Sequence, residues 1–206
     1  VVAPSDSDSA TNTMAENVAN AGTVGVTAVA TDADGTTNVI SYTVTAQSCS
    51  SVFAVGSSTG IVTVADNTAI DYETAQTCTV EVTATSTDAS TAATTFTVAV
   101  TDIDEFNVGA PSDSNSGTAN TMAENVANDA TVGVTAVATD ADGTTNTITY
   151  TVTAQSCTSV FTVGSATGIV AVADNTAIDY ETATTCTVAV TATSADTSTS
   201  VTTFTV

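Results

Sequence analysis

The chain has 206 residues and no lysine, arginine or histidine, against 22 aspartates and glutamates, a net charge of −22. Ion pairs between side chains therefore cannot support its fold. Ser-His-Asp and Cys-His catalytic arrangements are excluded for want of an imidazole. Schiff-base chemistry, a P-loop lysine and a Lys-Asn isopeptide crosslink are excluded for want of an amine. Phosphate and nucleic acid find no cationic anchor and are repelled. Zinc would have to rely on cysteine alone, and the four cysteines lack CxxC spacing. Tryptophan is absent and aromatics make up 4%, so a glycosidase using paired carboxylates is disfavoured although not forbidden. Leucine is absent too. No run approaches the ~20 apolar residues of a membrane span, and no signal peptide is visible. Trypsin-like proteases have nothing to cut.

What is present is valine, alanine and threonine in alternation. Hydrophobic residues reach 42%, enough for a packed core, and the β-branched residues favour strands. Cys78, Val80, Val82 and Ala84 fall on one side of a strand, with Thr79, Glu81 and Thr83 on the other. Phe96–Val100 and Val24–Ala28 read the same way. Further strands fit Ile40–Ala46, Val52–Val55, Ile61–Val64 and a short stretch before Glu16. Turn signals at Asp34-Gly35, Ser57–Gly60, Ala65–Asn67 and Asp88–Ser90 separate them. About seven short strands in about 100 residues is the pattern of an immunoglobulin-like sandwich.

The pattern occurs twice, about 108 residues apart: Met14–Asn17 returns as Met122–Asn125, Asp32–Gly35 as Asp140–Gly143, and Asp71–Glu73 as Asp179–Glu181. Second-repeat strands are predicted near Thr131–Ala138, Ile148–Ala154, Val160–Val163, Ile169–Val172, Cys186–Thr193 and Thr202–Val206. The expectation is an all-β chain of two tandem Greek-key sandwiches. Residues 1–105 form the first, with an acidic linker at about 99–107, and residues 106–206 form the second, stopping before its own linker. Cys49 and Cys78, then Cys157 and Cys186, stand 29 residues apart in each repeat. An even count at repeated spacing suggests a disulfide inside each repeat and an oxidising compartment. Four buried thiols are the alternative, and pairing across repeats is less favoured.

These residues resemble the cadherin repeat over both copies. Ala15-Glu16-Asn17 is similar to the family's x-Glu-Asn, and Asp32-Ala33-Asp34-Gly35 to its Asp-x-Asp turn. Phe53 with Thr59-Gly60-Ile61 resembles the family's Phe and Thr-Gly-x-Ile, and Asp71-Tyr72-Glu73 its Asp-x-Glu. Asp102-Ile103-Asp104-Glu105-Phe106 resembles the linker Asp-x-Asn-Asp-Asn, in a variant form associated with bacterial repeats. Five signals in the right order, repeated apart from a second linker, make the resemblance specific.

The resemblance implies calcium held where successive repeats meet. Its ligands would be Glu16, Asp71, Glu73, Asp102, Asp104, Glu105, Asp140 and Asp142. Hard oxygen ligands in that number suit calcium, with affinity on the order of 10⁻⁴ to 10⁻³ M for an extracellular module. Asp32 and Asp34 form a downstream half-site, and Glu124, Asp179 and Glu181 an upstream half-site, each to be completed by a neighbouring repeat or subunit. The family's late Ala-x-Asp reads Ala84-Thr85-Ser86 and Ala192-Thr193-Ser194, with Asp88 and Asp196 two residues further on. The expectation is therefore two calcium ions per junction, with a third left open. Asp34-Gly35 and Asp142-Gly143 also read as plain turn residues, and Asp6, Asp8, Asp113 and Glu81 as solvated charge. The implied role is structural and extracellular: a subunit of a filament or sheath joined head to tail with copies of itself, or a stalk segment of a large repeat adhesin. Homophilic adhesion would want an anchoring Trp near the N-terminus. Ser- and Thr-rich faces are open to O-linked glycans.

Overall fold

A computed structural model describes residues 1–34, 36 and 38–206. Gly35, the last residue of the first Asp-x-Asp-Gly turn, lies outside the described residues. The chain divides into two compact units, Val1–Ile103 and Asp104–Val206. In the first, the strands are β1 (Ser5–Asp6), β2 (Thr13–Ala15), β3 (Thr23–Val29), β4 (Ile40–Gln47), β5 (Phe53–Val55), β6 (Ile61–Val64), β7 (Thr77–Ser86) and β8 (Thr91–Thr101). They form two four-stranded sheets, ordered β1-β3-β6-β5 and β2-β8-β7-β4. All pairings are antiparallel except β2 with β8, which run parallel with Met14 opposite Val100.

Alternation decides which face each strand buries. In β7, Cys78, Val80, Val82 and Ala84 point inward and are buried, while Thr79, Glu81, Thr83 and Thr85 point outward. Facing them from the other sheet are Val24, Val26 and Ala28 of β3 and Val62 and Val64 of β6, all buried. The core is thus mostly valine, whose stiff branched side chains lose little rotamer freedom on a pleated sheet. Outward hydroxyls pair across strands: Thr45 Oγ1 lies 3.0 Å from Thr83 Oγ1 and donates to Glu81 Oε1 at 2.6 Å.

The second unit repeats this with β9 (Ser112–Asp113), β10 (Thr131–Val137), β11 (Thr149–Gln155), β12 (Phe161–Val163), β13 (Ile169–Val172), β14 (Thr187–Thr193) and β15 (Thr199–Thr205). Its sheets are β12-β13-β10-β9 and the three-stranded β11-β14-β15. β1 and β9 have no apolar alternation and are not legible as strands from the sequence. Each is two residues long, pairs with the end of β3 or β10, and is fixed there by an aspartate. Asp6 Oδ1 accepts from the Thr27 N–H at 3.0 Å, and Asp113 Oδ1 from the Thr135 N–H at 3.0 Å. These two acids are structural hydrogen-bond acceptors, not simply solvated charge.

The Thr-Gly-Ile motif has a steric reason. Gly60 and its counterpart Gly168 hold φ of +70° and +68° in a tight turn. A Cβ there would run into the carbonyl of Ala28 or Ala136 on the neighbouring strand, so only glycine fits.

Each repeat holds its own disulfide, Cys49–Cys78 and Cys157–Cys186, with Cα–Cα separations of 5.5 Å. Each closes a loop with a sequence separation of 29, which the chain-entropy model values at roughly 3–4 kcal/mol. Cys49→Ser with Cys78→Ser is therefore expected to lower the unfolding free energy of the first unit by about that amount. Denaturant unfolding with and without reductant checks it, and unchanged midpoints would count against the entropic account.

Candidate metal centres

Strand ends and turns gather the acids into clusters within each unit. In the first, Glu16, Asp71 and Glu73 bring carboxylate oxygens within 4.8 Å of one another. Glu16 directly follows β2 and is only 8% exposed. Its Oε1 accepts from the Ile103 N–H at 2.6 Å and its Oε2 from the Tyr72 N–H at 2.8 Å. One side chain thereby ties the Asp71–Glu73 turn to the acidic segment that follows β8. Asp102 lies in that segment, next to the residue whose amide Glu16 holds. Asp71 fixes its own turn by accepting from the Thr74 N–H and hydroxyl, both at 2.9 Å.

A second cluster in the same unit joins Asp32, Asp34 and Asp88 within the same 4.8 Å limit. The Val1 ammonium lies 3.7 Å from Asp32 Oδ1. A hydrogen bond from the Ser86 hydroxyl holds the Asp32 carboxyl below its ordinary value of 3.8. The negative charge of Asp32, with Asp88 beside it, pushes Asp34 above it.

In the second unit, Asp104, Asp142 and Asp196 form the corresponding group. Asp142 is wholly buried. Its Oδ1 accepts from the Glu105 and Phe106 amides at 3.2 and 3.3 Å. Its Oδ2 is buried with no hydrogen-bond partner among the described residues. Asp140 Oδ1 accepts from the Asp142 N–H at 3.4 Å, and Asp140 Oδ2 is likewise buried and unpartnered among the described residues. Lost hydration, then contact with Asp142 and the charge of Asp196, raises the Asp104 carboxyl above its ordinary value. Glu124, Asp179 and Glu181 make the last cluster, all exposed. Hydrogen bonds from the Thr182 hydroxyl and amide hold Asp179 below its ordinary value.

Carboxylate oxygens buried beside other carboxylates with no donor are costly unless a cation reaches them. The donor set is all oxygen, which suits a hard cation such as calcium rather than zinc. Sequence reasoning set Asp88 and Asp196 aside as displaced by two residues from the family position. The structure brings both into clusters. Asp88 sits on the β7–β8 hairpin turn, where its Oδ1 accepts from the Ser90 N–H and hydroxyl at 2.8 and 2.7 Å. Asp196 makes the same pair of bonds with Ser198, both at 2.8 Å. The legible signal was the repeated Asp-x-Ser turn in both copies.

Fold and clusters together define a class: a tandem β-sandwich repeat with acids concentrated at strand ends and turns. The cadherin-domain family model matches residues 6–101. No curated protein sequence matches the chain. Among solved structures, protocadherin gamma B2 extracellular cadherin domains 1–5 align with a TM-score of 0.77 at 19% identity, over 98% of this chain and 38% of that one. Mouse cadherin-23 EC22–24 gives 0.72 at 20% identity, over 95% and 61%. Drosophila N-cadherin EC1–4 gives 0.69 at 22%, over 99% and 49%. This chain spans about half the length of the first structures it matches, and at such identities those likenesses carry the fold. Residues 6–101 match the cadherin domain, and the second unit repeats their strand order. No helix among the described residues is long and apolar enough to cross a membrane.

Glu16→Ala is expected to leave the Ile103 and Tyr72 amides without their acceptors and to destabilise the first unit by roughly 1–3 kcal/mol. Hydrogen exchange read residue by residue checks this. Unchanged protection at those two amides would show that Glu16 does not hold the turn to the segment after β8.

Proposed function

We propose that this protein is an extracellular structural repeat that binds calcium through its acidic clusters and is stiffened by it. The observation that carries the reading is the wholly buried Asp142, whose Oδ2 lacks a hydrogen-bond partner among the described residues and which is grouped with Asp104 and Asp196. Composition supports it: with no basic side chain in 206 residues, the counter-charge must come from solution. The family pattern assigns Glu16, Asp71, Glu73 and Asp102 of one repeat, and Asp104, Glu105, Asp140 and Asp142 of the next, to one calcium-bearing junction. Asp32 with Asp34, and Glu124 with Asp179 and Glu181, are then half-sites that neighbouring repeats complete.

On this reading the chain serves as a unit of a filament or sheath built head to tail. The structures that it resembles favour a second reading, a stalk within a longer covalent array, because each is a fragment with more repeats than this chain aligns to. Electron microscopy of the native material in millimolar calcium, then in excess chelator, separates the two. Long filaments that fall into short pieces mean that calcium joins subunits. Filaments that stay long but turn limp mean a covalent array.

Calorimetric titration is expected to give dissociation constants on the order of 10⁻⁴ to 10⁻³ M. Asp142→Asn should weaken binding at least tenfold, while Asp66→Asn, a turn cap outside the clusters, should leave it unchanged. Absence of calcium heat in the parent chain would overturn the reading.

The pH dependence has a defined sign. A carboxyl held above its ordinary value keeps its proton to higher pH, so protons compete with the cation there first. As pH falls toward the carboxylate range, the cluster containing Asp104 should release calcium before the cluster containing Asp179. Titrations at stepped pH, followed by NMR of those carboxyls, check the order, and simultaneous release would contradict it.

A further inference from the structure

Strands hold few of this chain's acids: of the 22, only Asp6, Glu81 and Asp113 lie in one. None of these is in the sheet β11-β14-β15. Its inward side chains, among them Tyr150, Val188, Val190 and Phe204, are buried. Its outward positions are threonine, save for Ala154, Ala189 and Val201. Val201 is 56% exposed and Ala189 only 9%, so the face carries a raised apolar point and a hollow. Val201 stands opposite Thr191 and Ala189 opposite Thr203. The two are therefore diagonal neighbours on one face, roughly 7–8 Å apart.

The equivalent face of the first unit differs at both places. Glu81 stands where Ala189 does, and Ala93 where Val201 does. Glu81 takes the Thr45 hydroxyl at 2.6 Å. Both exchanges make the second face more apolar: a carboxylate gives way to a methyl group, and a methyl group to an isopropyl group. Ala93 is exposed as well, so an open position here is common to both units.

We propose that the outer face of β11-β14-β15 is a contact surface for the same face of a second copy of this chain. The two would be related by a two-fold axis that sets Val201 of one copy over the partner's Ala189, and the reverse, as a self-complementary contact requires. Charge selects the occupant. Copies with a net charge of −22 repel wherever their acids meet, and this face has none among the described residues. The first unit's face is excluded, because a buried Glu81 would find no basic side chain on any copy to answer it. Each of the three strands is seven residues long, so the face covers roughly 350 Å² in plan at about 4.8 Å per strand and 3.4 Å per residue. That is below the ~800 Å² per partner of a stable complex, so one pair is weak, and copies carried in series would gain by multivalency. The contact uses no acid and stands apart from the calcium reading.

The test uses the whole isotope-labelled chain in chelator and about 1 M salt, where charge is screened within about 3 Å. Sedimentation and NMR dilution, run up to roughly millimolar concentration, read the association constant. A monomer–dimer equilibrium with amide shifts confined to residues 149–154, 187–193 and 199–205 supports the surface. Ala189→Glu should weaken the dimer at least about tenfold. The first unit already carries glutamate at that place within the same sheet, so the variant keeps a fold to measure. Glu81→Ala should leave the constant unchanged. A chain that stays monomeric, a dimer indifferent to Ala189→Glu, shifts confined to the opposite sheet, or association that runs past the dimer would each overturn the proposal.

Discussion

The structure depends on one constraint: negative charge that no side chain can neutralise. Where another protein would answer an aspartate with arginine, this one answers with amides and hydroxyls. Asp66 and Asp174 cap short turns by accepting from Thr68 and Thr176. Asp71 and Asp179 do the same with Thr74 and Thr182. The abundance of threonine then has two causes, its fit to a pleated sheet and its supply of short-range donors. Asp66, Asp174 and Asp179, which find such donors, are held in their ionised form, whereas the charge of Asp32 makes Asp34 resist ionisation. The contrast between Asp179 and Asp104 is the contrast between a local donor set and lost hydration reinforced by neighbouring carboxylates.

Much of the fold was legible because period-two alternation reports burial directly. β3, β6, β7 and β8 read cleanly, since each alternates valine or alanine with threonine. β1 and β9 did not, because Ser5-Asp6 and Ser112-Asp113 carry no apolar signal and owe their pairing to aspartates that accept main-chain bonds. The site was legible through spaced motifs, which placed Glu16, Asp71 and Glu73 together. Spacing could not show that a hairpin turn carries Asp88 and Asp196 back to the Asp-x-Asp carboxylates. A two-residue offset in sequence is small across a turn in space.

The second copy of the fold acts as an internal control. Where the copies agree, as at Gly60 and Gly168 or at the Tyr42 and Tyr150 hydroxyls that take the Ala30 and Ala138 amides, the feature belongs to the fold. Where they differ, the cause is local. Glu81 is replaced by Ala189, so the Thr153–Thr191 hydroxyl pair stands without the carboxylate that accompanies Thr45 and Thr83.

The placement of each disulfide has a mechanical meaning. Cys49 lies just beyond β4 and Cys78 at the start of β7, with β5, β6 and the Asp71–Glu73 turn between them. Under tension along the chain, the bond carries the load past that loop. At about 3.4 Å per extended residue, the 29-residue separation withholds roughly 100 Å of slack from each unit. A unit pulled past yielding would therefore lengthen far less than its residue count implies, and a string of them would behave as a tether with a built-in stop.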